Sequence, residues 1–319
     1  MENKIPLLVI AGPTASGKTA LAVELARIYN GEVVSADSMQ IYKGLSVATA
    51  KPAAEEMKGI PHYLIDFLEP DKPFSVADYV KLAGERVREI YGRGKLPIVC
   101  GGTGLYISSL VDNLIFDETP SDGSIRKRIE AEANEIGNHA LWERLRKVDP
   151  ETAEKVHENN LPRVIRGLEV FEATGIPLSQ HKVNSRREKS PYDACIIGLT
   201  ASDRQYIYDR INKRVDIMLE KGLVEECRSF YESVTPATAY QAIGYKELVP
   251  YFEGKADLEE CLEKIKQESR HYAKRQLTWF RRVDGIQWVE IDKFGDLKKI
   301  IENIQNIIAK SKIMCYNII

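Results

Sequence analysis

Gly12-Pro13-Thr14-Ala15-Ser16-Gly17-Lys18-Thr19 fits the pattern G-x-x-x-x-G-K-[ST]. Glycines in such a stretch let backbone N–H groups curl round phosphate oxygens, the lysine supplies a point charge, and the threonine hydroxyl can ligate Mg²⁺. The stretch follows an apolar run and opens a segment of helical spacing, so a helix N-terminus adds its positive dipole end. A phosphate or diphosphate ligand is predicted. Which phosphate compound binds is left open. Most proteins with this loop cleave ATP or GTP and place an Asp after a hydrophobic strand for Mg²⁺. Here the apolar run Leu96–Cys100 leads into Gly101-Gly-Thr103-Gly-Leu-Tyr106, with no acid. Asp37 lies after another such run, in Ser35-Ala-Asp-Ser-Met-Gln-Ile-Tyr42. A carboxylate beside a diphosphate can be a general base, a metal ligand or a helix N-cap. Thr103, on a glycine-flanked turn, can orient a substrate or cap a helix.

These residues need a scaffold. Residues 5–11 read as a fully buried strand and 19–29 as the helix after it. Residues 32–36 are a second strand, 78–91 a helix, and 96–100 a third strand. Strand and helix alternating in this way predict a parallel α/β sheet of the P-loop type. Ligands in open α/β sheets bind at the carboxyl ends of strands, so the loop, Asp37 and Thr103 should converge on one crevice. From about Asp117 to Arg187 the chain becomes Lys/Arg/Glu-rich and helical, and the sheet pattern returns at 194–199. The predicted organisation is a core of residues 1–118 and 190–319, with a mostly helical insertion domain at 119–189. After residue 200 the chain reads as helical to its end.

At 319 residues a main domain plus a smaller one is the default. No apolar run suffices for a membrane span, and the N-terminus does not read as a signal peptide. The five cysteines form no Cys-x-x-Cys pair, so neither a disulfide framework nor a zinc module is suggested, which fits a reduced cytoplasm. The net charge of −2 hides segregation: between 264 and 282 there are seven cations against Glu268 alone. Plotted at ~100° per residue, Leu258, Leu262, Ile265, Tyr272, Gln276 and Phe280 share one face of a helix. Arg270, Lys274 and Arg281 cluster on another. Such a basic ridge suits phosphate contacts or is simply a solvated face.

Taken together, the motifs resemble the bacterial tRNA dimethylallyltransferases. Those that carry the resemblance are the 12–19 loop, Asp37-Ser-Met-Gln-Ile-Tyr42, Thr49-Ala-Lys-Pro52, Pro61-His-Tyr-Leu-Ile-Asp66 and Gly101–Tyr106. Further along come Val148-Asp-Pro150, Arg163-Val-Ile-Arg-Gly-Leu-Glu-Val170, Gln241-Ala-Ile-Gly-Tyr-Lys-Glu247, Arg270-His-Tyr-Ala-Lys-Arg-Gln276 and Thr278-Trp-Phe280. The match spans nearly the whole chain. Departures are Tyr63 for a more usual His, Ala48 for a Gly and Gly167 for an Ala.

The resemblance implies dimethylallyl diphosphate as donor and the adenosine 3′ of the anticodon in tRNA as acceptor, giving N6-isopentenyladenosine and diphosphate. It implies Asp37 as base and Thr103 as a hydrogen-bonding residue at the reacting centre. Gly12, Pro13, Thr14, Ala15, Ser16, Gly17, Lys18 and Thr19 would hold the diphosphate with Mg²⁺ on Thr19. Arg210 and Arg214 would join that clamp or be surface charge. Asp37, Ser38, Met39 and Gln40 would meet an adenine splayed from the anticodon loop, with the Gln40 amide pairing to its edge. Arg126, Arg163 and Arg166 of the insertion, with Arg270 and Lys274, would contact the anticodon stem-loop. Trp279 and Tyr272 read as core. The enzyme is expected to act as a cytoplasmic monomer, away from any membrane and without hydrolysing ATP, although the loop is of the nucleotide-binding type. Rival readings are an adenylate isopentenyltransferase acting on free AMP or ADP, a P-loop nucleotide kinase, and a non-enzymatic RNA-binding module.

Overall fold

Every residue from Leu7 to Ala11 is apolar, and strand side chains alternate between faces. Such a run can be buried only at the centre of a sheet covered on both sides. In a computed structural model describing residues 4–116, 123–233 and 238–316, that is where it lies. Leu8 and Ile10 feed one apolar layer with Leu21, Leu25 and Ile308. Leu7, Val9 and Ala11 feed the opposite layer with Tyr79, Val87 and Phe280. Leu7 to Ala11 are all 0% exposed. Burial stabilises each large aliphatic side chain there by about 1.5–3 kcal/mol.

The sheet has six strands: β1 (Ile5–Ala11), β2 (Gly31–Ser35), β3 (His62–Tyr63), β4 (Leu96–Gly101), β5 (Tyr192–Thr200) and β6 (Gln287–Glu290). Their order is β3-β2-β4-β1-β5-β6, and every neighbouring pair is parallel. The chain leaves β1 for β2 on one side and β4 for β5 on the other. Adjacent β1 and β4 therefore send their loops apart, and a crevice opens at their carboxyl ends. The α/β parallel-sheet expectation holds. The expectation that the chain is helical after residue 200 is corrected by β6. Of its Gln287-Trp-Val-Glu only Val289 is buried, and at the sheet edge the segment is too short and too polar to register as a buried strand.

The chain divides into two compact units, residues 1–111 with 190–319, and Asp112–Lys189. The predicted boundary between 118 and 119 lies outside the described residues. The second unit is built from helices Ser124–Ile136, Asn138–Val148, Pro150–Lys155, Leu161–Thr174 and Leu178–Asn184. Ile129, Leu141, Leu145, Val164 and Leu168 form its own core. Asp149, 1% exposed, explains the Val-Asp-Pro motif. Its Oδ1 accepts from the Thr152 amide at 3.0 Å and its Oδ2 from the Ser179 amide at 2.9 Å, joining two helix starts. Burial alone would raise its pKa, but these donors outweigh it and hold the carboxyl below its usual range.

Candidate active site

The phosphate-type loop leaves β1 at Gly12, where φ is +149° and a Cβ would stand 2.8 Å from the Leu199 carbonyl oxygen. Only glycine fits both the backbone and the space. Gly17, at φ +91°, then starts the helix Lys18–Ile28. Lys18 folds into the loop, and its Nζ donates to the Pro13 carbonyl at 2.6 Å. Withdrawal from water, with the Arg214 guanidinium adding to it, lowers its pKa to about 8 against the opposing field of Asp37.

Two arginines of the helix Arg204–Glu220 reach this loop. Arg210 Nε donates to the Ala15 carbonyl at 2.7 Å, and Arg214 Nη1 to Thr14 Oγ1 at 3.3 Å. Arg214 is half-buried against the loop, whereas Arg210 remains exposed while bonded to it. A cavity of about 260 Å³ is lined by Ser16, Gly17, Leu199, Tyr206, Arg210 and Phe294, among others, but not by Asp37 or Thr103. It is not the place where those two residues meet the loop.

Asp37 follows β2, and its Oδ1 accepts from the Met39 amide at 2.9 Å and the Gln40 amide at 3.2 Å. That oxygen thus closes a turn and not a helix, since no helix follows before Ala54. Oδ2 has no hydrogen-bond donor among the described residues. The Asp37 carboxylate lies close enough to act electrostatically on Lys18, Arg214 and Tyr272. It therefore belongs to the same crevice as the loop. Thr103 lies beside it: its Oγ1 accepts from the Ser38 amide at 3.0 Å and donates to Ser38 Oγ at 3.3 Å. Its backbone amide donates to the Ala36 carbonyl at 3.0 Å, tying the turn after β4 to the end of β2. Cys100, beneath these groups, is buried and its thiol is pushed up to about 12, so it stays neutral.

Sequence reading did not find the frame that holds the 37–42 segment. The Gln40 amide nitrogen donates to the carbonyls of Thr49 and Ala50, both at 3.1 Å. Both N–H groups of the amide are thus engaged inside the protein, so of the pairing expected with a base edge only the oxygen's part is left to it. Lys51, with a side chain only 5% exposed, bonds the Tyr42 carbonyl and the Asp66 carboxylate. Glu226 accepts from the amides of Ser46, Val47 and Ala48. In the Gln241–Glu247 motif, Glu247 Oε2 accepts from the Gly244 amide at 2.8 Å, and Gly244 packs against Ala48. The Thr-Ala-Lys-Pro and Gln-Ala-Ile-Gly-Tyr-Lys-Glu motifs are therefore supports for the Asp37 loop.

On the helix Leu258–Phe280 the expected faces are present: Ile265, Gln276 and Phe280 are buried while Lys274 and Arg281 are exposed. Arg270 Nη1 donates to Asn212 Oδ1 at 2.7 Å. Trp279 corrects its core assignment: it is 38% exposed, lies over Gly104 and donates to Ser108 Oγ at 3.2 Å. In the second unit Arg163 and Arg166 are exposed on the helix Leu161–Thr174. Arg166 pairs with Glu169 at 2.9 Å and Arg126 with the same carboxylate at 3.8 Å. Glu169 is 4% exposed and anchors both cations.

The sequence profile of the IPP transferase family matches residues 40–283. A tRNA dimethylallyltransferase of Acetivibrio thermocellus is 50% identical over 97% of this chain and 98% of its own. One from Thermoanaerobacter sp. is 48% identical over 96% of this chain and 98% of its own. Among solved structures, the full-length tRNA isopentenylpyrophosphate transferase of Bacillus halodurans superposes with a TM-score of 0.72 at 44% identity, covering 96% of both chains. A eukaryotic dimethylallyltransferase acting on tRNA gives a TM-score of 0.79 at 28% identity, over 96% of this chain and 80% of that one. With the profile spanning most of its length and relatives near half identity from end to end, this chain belongs to the IPP transferase family.

Proposed function

We propose that the protein transfers a dimethylallyl group from dimethylallyl diphosphate to N6 of the adenosine 3′ of the anticodon in tRNA. The observation that carries this reading is the shared crevice. A cation loop and a carboxylate with one oxygen free of donors among the described residues follow two strands of one sheet, near enough to act on each other electrostatically. An adenine amino group is a poor nucleophile because its lone pair is delocalised into the ring. Attack on the allylic carbon needs a base for the proton, and Asp37 Oδ2 takes that role. The bond that breaks releases diphosphate, whose growing charge is met by Lys18, the free loop amides and Arg210 and Arg214. Thr103 fixes the Ser38 side of the pocket and sits at the reacting centre.

Thr19 is the residue that would hold Mg²⁺, through its hydroxyl, beside the bound donor. Among the described residues no group of three or more His, Cys, Asp or Glu could hold a metal. When bound, Mg²⁺ supplies charge neutralisation to the leaving diphosphate. No helix among the described residues is long and apolar enough to cross a membrane.

Incubation with labelled dimethylallyl diphosphate and either tRNA or AMP tests the assignment. Label is expected in tRNA adenosine. Label entering AMP in preference would favour the free-nucleotide alternative, and ATP turnover without prenyl transfer would favour a kinase.

For RNA, the ridge of Arg270 and Lys274 and the cations Arg126, Arg163 and Arg166 of the second unit are the phosphate contacts. Arg270→Ala with Lys274→Ala is expected to weaken tRNA binding and flatten the slope of log affinity against log salt by about 1–2. Filter binding across a salt series measures it. A slope equal to the wild type shows the ridge to be idle.

A further inference from the structure

The helix Leu258–Phe280 brings one buried polar side chain to the site, Gln276, which is 5% exposed. Its amide has two ends of opposite hydrogen-bonding sense, and each meets a different loop. Oε1 accepts from the Thr14 amide at 2.8 Å, in the phosphate-type loop. Nε2 donates to the Gly102 carbonyl at 3.0 Å, in the turn that presents Thr103. Only one orientation of the amide satisfies both, since a backbone N–H can only donate and a carbonyl only accept. Gly102 is itself constrained, because a Cβ there would run into the Gln276 amide. One turn earlier on the helix, Tyr272 lies against both the Thr103 hydroxyl and Gln276.

The Thr14 amide spent in this way is not offered to a phosphate. Its bond sets where the rest of the loop stands. Pairing between β1 and β4 runs as far as Ala11 and Gly101. Past that point the Gln276 amide ties one strand's loop to the other's.

We infer that Gln276 is a positioning residue for prenyl transfer, fixing the spacing between the diphosphate-holding loop and the Thr103 side of the crevice. The inference rests on the transfer reading above. Donor and acceptor are gripped by loops of different strands, so their approach depends on whatever holds those loops in register. A misplacement of about 1 Å at a reacting centre costs on the order of 10²-fold in rate.

The test uses the full chain as wild type, Gln276→Leu, Gln276→Glu and, as a control for general loosening, Ile304→Val. Ile304 is 0% exposed in the apolar layer and takes no part in the site. Leucine keeps the bulk of Gln276 and removes both bonds. Glutamate keeps the acceptor for Thr14 but sets a carboxylate oxygen against the Gly102 carbonyl. Thermal midpoints, kcat and KM for dimethylallyl diphosphate and tRNA, and tRNA affinity without donor are measured. Each Gln276 variant is expected to lose roughly 10- to 100-fold in kcat while tRNA affinity stays within about twofold. Ile304→Val keeps the wild-type kcat. A Gln276→Leu protein that turns over as fast as Ile304→Val overturns the inference, since packing would then be the residue's whole role. If the leucine variant does not fold, the glutamate variant decides by the same comparison. Failure of wild type to prenylate tRNA would instead strike the transfer reading. The ratio of variant to wild type on AMP would then still measure Gln276.

Discussion

Asp37→Ala is expected to lower turnover by ~10²-fold or more, the scale of a lost general base, and to leave tRNA affinity nearly unchanged. Two properties of Asp37 must be separated for this result to mean what it says. Its Oδ1 accepts from the amides of Met39 and Gln40, so alanine removes a turn as well as a base. Losing these turn hydrogen bonds costs about 1 kcal/mol of local stability. Asp37→Asn resolves the two. The asparagine carbonyl still accepts from both amides, but its amide nitrogen cannot take a proton from the adenine amino group. Asparagine is therefore expected to be as slow as alanine while unfolding at the wild-type temperature. Single-turnover measurements with saturating tRNA read the chemical step directly. An asparagine variant with wild-type turnover would reduce Asp37 to a turn residue and leave the reaction without its base.

How far such a site can be read from sequence depends on the range of the contacts that build it. β1, β4 and β5 were legible because each carries a continuous apolar run of strand length, and such runs can only be buried, while β2 offered only Val33 and Val34. β3 is two residues and β6 is a half-exposed edge strand, so neither leaves an apolar signature. The cation loop was legible for a different reason: its chemistry is local, and one short stretch supplies the amides, the ammonium and the helix end together. The fold then places the ends of β1, β2 and β4 side by side, which is why Asp37 and Thr103 could be assigned to the same crevice beforehand.

The supports were not legible, and distance along the chain is the reason. Gln276 meets Thr14 across 262 positions, and Glu226 meets Ser46 across 180. No periodicity reports such a pairing. The one trace was a polar residue on the apolar stripe of a helix, and Gln276 occupies such a position. Gln40 shows the converse. Its type and neighbourhood suited base recognition, but the backbone carbonyls of Thr49 and Ala50 already claim its donors. A side chain's chemistry can be read from its name. Whether that chemistry is spent inside the protein cannot.

Lys18 gives the second large effect, because its charge depends on pH within the working range. Burial holds its pKa at about 8, against 10.5 for a free lysine. Below that value the ammonium is present to meet the diphosphate, and above it the group is increasingly neutral. The donor binds the charged form, so affinity is expected to be level on the acid side of about 8 and to fall as pH rises through it, by up to ~10-fold per unit. The donor's own last phosphate proton leaves near pH ~6, on the other side of that plateau, so the two titrations are distinguishable. Lys18→Ala removes a charge-assisted hydrogen bond to an anion, worth about 1.5–3 kcal/mol, or roughly 10- to 150-fold in affinity. It should also abolish the alkaline fall. Plots of kcat/KM for dimethylallyl diphosphate against pH, for both proteins, contain the whole test. A wild type without the alkaline break, or an alanine variant that keeps it, would assign the titration to another group and leave Lys18 a fixed charge.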